Sequence, residues 1–125
     1  MRLIVDIETN GFLDVLDTIH CIVAYDIHAE KTFRFGPTEI DRAVTFLEQA
    51  SELIAHNGIT FDVPAIQKLY PDFKCPKVTD TLVCSRLLWS DLVRIDWASL
   101  TTYLPTNRYG SHSLEAWGYR LGEYK

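Results

Sequence analysis

The sequence predicts an α/β fold in which a three-stranded antiparallel meander is extended by further strands, with helices packed on the sheet. Apolar residues alternate in three segments near the amino terminus, and later segments show apolar residues at helical spacing separated by short apolar runs. With 125 residues, 47% of them hydrophobic, the chain is long enough for one domain with a substantial core and short for two. We therefore expect a single domain over residues 1–125.

Three strands are predicted in the first third of the chain. The first lies within Leu3–Gly11, which ends in a turn. Asp17–Asp26 has apolar residues at alternating and intervening positions, so we expect this second strand to be covered on both faces. Lys31–Phe35 alternates more cleanly, which is typical of an exposed outer strand. Because only His28–Glu30 separates the last two, the three strands should form an antiparallel meander.

Two helices and two short strands are predicted next. Apolar residues recur at helical spacing from Ile40 to Ala50, with Thr38 as the expected cap. Leu53–Ala55 is a short apolar run typical of a buried strand, and a second helix should begin near Asp62. Val78–Thr79 is expected to form a brief fifth strand.

The carboxyl-terminal part has a less regular pattern. Asp80 is the expected cap of a third helix. Residues 91–110 show no clean period, which predicts a long loop with at most one helical turn. A final helix should begin near Ser113 and place Trp117 in the core.

The composition of the chain limits the cellular compartments and the binding partners that we expect for it. No apolar run approaches the roughly 20 residues that a membrane-spanning helix needs, and the chain enters a strand without a leader, so we expect no membrane partner. The three cysteines form no C-x-x-C pair, which favours reduced thiols in the cytoplasm. A formal net charge of −5 disfavours direct phosphate binding. Bound divalent cations would make an acidic site locally positive, and such a site could bind phosphate.

Two carboxylates interrupt the first strand. Asp6 and Glu8 are two residues apart and should share one face, while Val5 and Ile7 share the other. Two solvated acids at a polar strand end would explain this pattern, and so would half of a metal site. Burying carboxylates costs free energy unless a cation meets them, and the apolar flanks favour the metal site.

A second acidic segment is His56–Asp62, in which a polar loop and an aromatic residue lead to a carboxylate at a helix start. On its own, Asp62 would be interpreted as a helix cap. Together with Asp6 and Glu8 it completes a set of oxygen ligands of the kind that Mg²⁺ and Mn²⁺ prefer.

Asp6–Glu8 and Asn57–Asp62 resemble the first and second motifs of the DEDD 3′–5′ exonucleases. Members of that family have a ribonuclease H-like fold and remove nucleotides from single-stranded 3′ ends with two divalent metals. Further segments, above all Gly110–Gly122, resemble the amino-terminal proofreading domain of phage T7-type family A DNA polymerases. The resemblance spans nearly the whole chain and implies a ribonuclease H-like fold, a DNA polymerase context and a phage-infected bacterial host.

The resemblance implies that Mg²⁺ or Mn²⁺ ions bind at three carboxylates. Asp6 would bridge two metals, Glu8 would bind the metal that activates water, and Asp62 would hold the second metal directly or through water. Such a pair of ions would lower the pKa of the attacking water and neutralise the leaving 3′ oxygen.

The resemblance also implies contacts with a single-stranded DNA 3′ end. Thr9 and Phe12 occupy positions that touch the terminal nucleotide in this family, and Asn57 and Phe61 belong to the second motif. Phe12 would stack on or wedge beside a base, a contact of roughly 1 to 3 kcal/mol. The alternative for Phe12 is a core aromatic at the base of a loop.

The third motif of the family, a Tyr or His followed by an Asp on a late helix, has no match here. Tyr119 and Tyr124 have no Asp four or five residues after them. The chain is therefore a fragment of a longer exonuclease or polymerase, a short binding protein, or a protein whose second copy completes the site with an acid such as Glu123. The leading interpretation is a metal-dependent 3′–5′ exonuclease domain that is weak or incomplete alone. Its rival is a non-catalytic module that binds single-stranded DNA or a partner.

Overall fold

The computed structural model describes residues 1–99 and 103–123, and Tyr124 lies outside them. Within these ranges the chain forms strands, α-helices and one 3₁₀ turn. In chain order they are β1 (Arg2–Thr9), β2 (Ile19–Asp26), β3 (Lys31–Phe35), α1 (Ile40–Glu48), β4 (Glu52–Ala55), α2 (Asp62–Leu69), β5 (Lys77–Asp80), α3 (Thr81–Leu88), α4 (Leu92–Ala98), the 3₁₀ turn (Thr106–Arg108) and α5 (Leu114–Leu121). None of these helices has the length and apolar character needed to cross a membrane.

The strands form one sheet in the order β3-β2-β1-β4-β5. β1, β2 and β3 are antiparallel neighbours, which confirms the predicted meander. β4 and β5 run parallel to β1, so the carboxyl ends of these three strands lie at one edge of the sheet. This parallel arrangement brings the ends of β1 and β4 to the candidate site.

A charged ladder fixes the register where the parallel strands begin. Arg2, Glu52 and Lys77 are paired residues on β1, β4 and β5. The Glu52 carboxylate accepts a hydrogen bond from the Thr79 hydroxyl at 2.6 Å and forms ion pairs with Arg2 and Lys77. The Thr79 and Arg2 hydrogen bonds lower the pKa of Glu52 to about 2, against the opposing effect of burial. A shift of register would remove these partners from a buried acid.

The apolar core of residues 1–81 joins the buried face of β1 and β2 with α1 and α2. Its fully buried members include Leu3, Leu16, Ile22, Leu47 and Ile66. The predicted face of α1 is confirmed, since its buried residues recur at helical spacing from Ile40 to Leu47. The predicted cap is wrong, because Glu39 rather than Thr38 occupies the cap position. The Glu39 side chain accepts instead from the backbone amide of Gly36 at 3.3 Å.

The chain divides between Thr81 and Leu82 into two compact units. In the second unit the predicted loop at residues 91–110 is wrong over Leu92–Ala98, which forms the helix α4, and residues 100–102 of it lie outside the described ranges. The buried residues of α4 are Leu92 and Asp96, one turn apart. Because one of the two buried positions is an acid, α4 shows no apolar periodicity in the sequence.

The buried centre of the second unit is an ion pair. Asp96 accepts two hydrogen bonds from the Arg120 guanidinium, at 2.9 and 2.7 Å, and one from the backbone amide of Gly110 at 2.7 Å. Burial raises the pKa of Asp96, but the Arg120 and Gly110 hydrogen bonds outweigh it and hold that pKa below its usual range. Gly110 has a φ of +76°, and a side chain there would lie 2.2 Å from Val93. The Asp96–Arg120 ion pair and the close approach of Gly110 to Val93 together fix the position of α4 in this unit.

α5 begins as predicted, and the Ser113 hydroxyl accepts a hydrogen bond from the amide of Ala116 at 3.2 Å. Trp117 is half-buried, not a fully buried core residue as predicted. Its indole N–H donates to the Ser85 hydroxyl at 2.8 Å, and its ring lies 4.9 Å from that of Trp89. The half-buried indole N–H needs a hydrogen-bond partner, and the buried Ser85 hydroxyl supplies it.

We expect Arg120→Met to lower the free energy of unfolding by about 3 kcal/mol, because it leaves the buried Asp96 carboxylate without its cation. Arg94→Met is the matched control, since Arg94 also pairs with an acid, Asp91, but is exposed. Urea titrations followed by circular dichroism would measure both. Equal effects of the two substitutions would contradict a stabilising role for the buried pair.

Candidate functional site

Asp6 and Glu8 lie side by side on the exposed face of β1. Val5 and Ile7, which alternate with them, are 5% and 6% exposed and belong to the core. The predicted separation of the two faces of this strand is therefore confirmed. The apolar residues hold the strand in place, and both carboxylates remain accessible from the other side.

The loop that leaves β4 carries the second acidic segment toward β1. Asn57 has a φ of +67°, a left-handed conformation that Asn tolerates better than most residues. Gly58 passes so close to β4 that a side chain would lie 2.5 Å from the Cβ of Ala55. The Thr60 hydroxyl donates to the Asn57 side chain across this turn. The Asn-Gly pair thus allows a sharp turn between β4 and α2.

Asp80 holds this loop from the neighbouring strand. Its two carboxylate oxygens accept hydrogen bonds from the amides of Asn57 and Ile59, each at 3.0 Å, and the residue is 4% exposed. Asp80 ends β5 directly before α3, the position expected of a cap, but sequence reasoning missed its contacts with residues 57–59. An acid at the end of a strand beside an Asn-Gly turn is the signal that would have indicated them.

The loop delivers Asp62 to the site as the first residue of α2. Asp62 is 7% exposed, and its carboxyl group accepts a hydrogen bond from the backbone amide of Ile7. Burial and then the negative charge of Asp6 raise the pKa of Asp62 to about 6, against the opposing effect of its backbone hydrogen bonds. The effect of Asp6 on this pKa means that carboxylates from two distant segments share one site.

These carboxylates are suited to a hard divalent cation. A cation beside Asp6 and Asp62 would relieve both the burial of Asp62 and the repulsion between the two groups. Glu8 adds a third carboxylate on the same face of β1. In the part of the chain that is described, no three Asp, Glu, His or Cys side chains already surround a common point. The structure brings Asp6 and Asp62 together and places Glu8 on the same strand face.

The turn after β1 exposes an aromatic side chain beside the site. Phe12 is 80% exposed, so the expectation of a core aromatic is wrong. The Thr9 hydroxyl donates to the Gly11 carbonyl at 2.8 Å, and Lys68 on α2 donates to the Leu13 carbonyl at 2.8 Å. These bonds fix the turn on both sides, and the phenyl ring extends into solvent.

The other two residues predicted to bind substrate help to form the loop. Phe61 occupies the cap position of α2 and packs partly against the core. The Asn57 side chain is half-buried and bonded to Thr60. Both residues therefore have a structural role at the turn that precedes Asp62.

Comparisons with known proteins identify the family to which the chain belongs. A family model described as the RNase H superfamily matches residues 3–117. The DNA-directed DNA polymerase of Escherichia phage T7 is 39% identical over 132 residues, which cover 96% of this chain and 19% of that protein. The corresponding polymerase of Enterobacteria phage T3 is 39% identical over 135 residues, with 98% and 19% covered. The chain thus spans about one fifth of the length of these relatives.

A solved structure has the same fold. The zinc ion bound form of the E. coli ExoI–ssDNA complex matches with a TM-score of 0.63 and 14% sequence identity, over 91% of this chain and 33% of that one. Together with the family model, this match confirms the predicted ribonuclease H-like architecture, and the phage polymerases confirm the resemblance of the sequence. By the extent of its sequence match and by its fold, the chain belongs to the RNase H superfamily.

Proposed function

We propose that this chain is a metal-dependent 3′–5′ exonuclease domain of the proofreading type, which hydrolyses single-stranded DNA from its 3′ end. The observation that carries the proposal is the buried Asp62 carboxyl, whose pKa is raised to about 6 by burial and by Asp6. Perturbed carboxylates of this kind concentrate at functional sites. The DNA polymerase relatives and the fold shared with an ExoI–ssDNA complex support DNA as the substrate.

Asp6, Glu8 and Asp62 would hold Mg²⁺ or Mn²⁺ at this site. Bound ions of this type supply an activated water and neutralise charge on the leaving 3′ oxygen. The protein contributes the positions of the ligands: β1 presents Asp6 and Glu8 on one face, and the Ile7 amide orients Asp62. Below about pH 6, a cation that binds here would displace the proton from Asp62.

The terminal nucleotide would bind between β1 and the adjoining turns. Phe12 is exposed where a base can stack on its ring, with Thr9 at the start of the same turn. Asn57 and Phe61 would contact the substrate from the second turn. Base stacking on an exposed aromatic tolerates any sequence, which suits an enzyme that removes nucleotides one after another.

A longer protein would supply the rest of the reaction. The phage polymerase relatives are about five times the length of this chain, so a polymerase domain is the proposed natural partner. A second copy of the chain is the alternative source of a missing ligand. Such a protein would act in the cytoplasm of a phage-infected bacterium. Alone, the chain would have weak activity or bind DNA without cutting it.

Calorimetric titration with Mn²⁺ tests the metal site. We expect binding at or below the millimolar range, and Asp6→Asn should weaken it at least tenfold because one carboxylate charge is lost. Asp14→Asn, an exposed acid in the turn after β1, is the control and should bind as the wild type does. Absence of Mn²⁺ binding near millimolar would refute the metal site.

Incubation with 3′-end-labelled single-stranded DNA tests the reaction. The wild type should release label in the presence of Mg²⁺ or Mn²⁺ and stop when EDTA is added. Glu8→Ala and Asp6→Ala should each lower the rate by about 10² or more. Metal-independent loss of label that is equal in all three proteins would indicate contamination. Binding of metal and DNA with no loss of label would favour the non-catalytic module.

In the metal-free protein, the contribution of Asp62 to stability should fall as the pH rises from about 4 to about 6. The folded chain keeps a proton on Asp62 in this window while the unfolded chain has released it, so the destabilising contribution of Asp62 reaches about 3 kcal/mol at neutral pH. Asp62→Asn should therefore be more stable than the wild type at pH 7 in EDTA and equally stable at pH 4. Urea titrations at both values would measure this, with Asp14→Asn as control. A wild type that matches Asp62→Asn at pH 7 would contradict the raised pKa.

A further inference from the structure

The outer edge of the sheet is formed by β3. The strand order ends there, and in the described ranges no strand pairs with the far side of Lys31–Phe35. In an antiparallel pair, every second residue turns its N–H and C=O away from its partner strand. β3 therefore presents backbone donors and acceptors that an extended chain could use.

A cavity of about 400 Å³ lies directly beside this edge, between β3 and α1. Phe33 and Phe35 line it from the strand and Phe46 from the helix, together with Thr45. The Phe46 ring is 4.7 Å from that of Phe33 and 5.6 Å from that of Phe35. The three rings form an apolar recess of the size that a large aliphatic or aromatic side chain fills.

Cations surround the edge and the recess. Lys31 lies over the Phe33 ring at 5.0 Å and Arg42 over the Phe35 ring at 6.0 Å. Arg34 is exposed on the opposite face of the strand. Arg42 pairs with Glu39, yet among the described residues that line the recess Arg42 is the only charged one. The local charge is complementary to an acidic partner.

We propose that the groove between β3 and α1 binds an extended, acidic segment of a partner protein, which adds to the sheet as a further strand. Main-chain hydrogen bonds to β3 would supply affinity, and alternate side chains would supply specificity. One set of side chains would enter the phenylalanine recess, and the other would face Arg34. This inference is independent of the nuclease activity, since none of the proposed metal ligands lies on β3 or α1.

The probe is a fluorescein-labelled heptapeptide of alternating glutamate and leucine with a central phenylalanine, titrated with the full chain by fluorescence anisotropy. We expect saturable binding with a Kd on the order of 10 to 100 µM. Arg42→Glu should weaken binding at least threefold through charge. Thr45→Phe should weaken it at least tenfold because the added ring fills the recess. Arg94→Glu is the matched control, since Arg94 and Arg42 are both exposed and both pair with an acid three residues earlier.

Backbone pairing is tested with two N-methylated forms of the peptide, methylated at odd or at even positions. A strand bonded to β3 should tolerate methylation of the outward amides and lose binding when the inward amides are methylated. Equal affinity of both forms, or of Arg42→Glu and Arg94→Glu, would overturn the proposal. Amide chemical-shift changes that are largest outside β2, β3 and α1 would also overturn it, as would self-association of the chain through this edge in sedimentation experiments without peptide.

Discussion

The carboxylate of Asp80 determines where the second acidic segment runs, and the candidate site depends on that path. Its hydrogen bonds to the amides of Asn57 and Ile59 hold the turn against the end of β5. The missing side chain of Gly58 lets the same turn approach Ala55. Asp62 begins α2 immediately afterwards and reaches the Ile7 amide. The proximity of Asp62 to Asp6 is thus a consequence of sheet order and of one buried acid on a neighbouring strand.

The burial of Asp62 beside Asp6 lowers the stability of the fold, and other interactions must offset this loss. Asp62 is buried close to another carboxylate, and without a cation its ionisation opposes folding at neutral pH. The parallel strands compensate at their opposite ends, where Glu52 is buried with Arg2, Lys77 and Thr79. Near one end of the parallel strands a buried acid is paired with cations, and near the other end Asp62 is buried close to a second carboxylate. Functional sites commonly hold strained groups that a well-packed scaffold keeps in place.

The parts of the fold that depend on apolar periodicity could be predicted from the sequence. The meander and the two faces of β1 follow from a period of two, and α1 follows from helical spacing. The site could be assembled only from a resemblance, because no local pattern brings Asp62 to Asp6. α4 could not be predicted, since Asp96 anchors it through Arg120, which lies 24 residues away in the chain. Helices held by a buried ion pair lack the apolar stripe that sequence analysis detects.

The buried acids differ in the direction of their pKa shifts, and this difference separates structural from functional groups. Hydrogen bonds and cations lower the pKa of Glu52 to about 2 and hold that of Asp96 below its usual range. The pKa of Asp62 moves the opposite way, although it too accepts backbone hydrogen bonds. A buried acid whose partners stabilise its charge is complete within the fold. A buried acid whose pKa is raised has surroundings that do not stabilise its charge, and a cation from outside the chain would do so. In this chain that acid is Asp62, which lies close to Asp6 on β1.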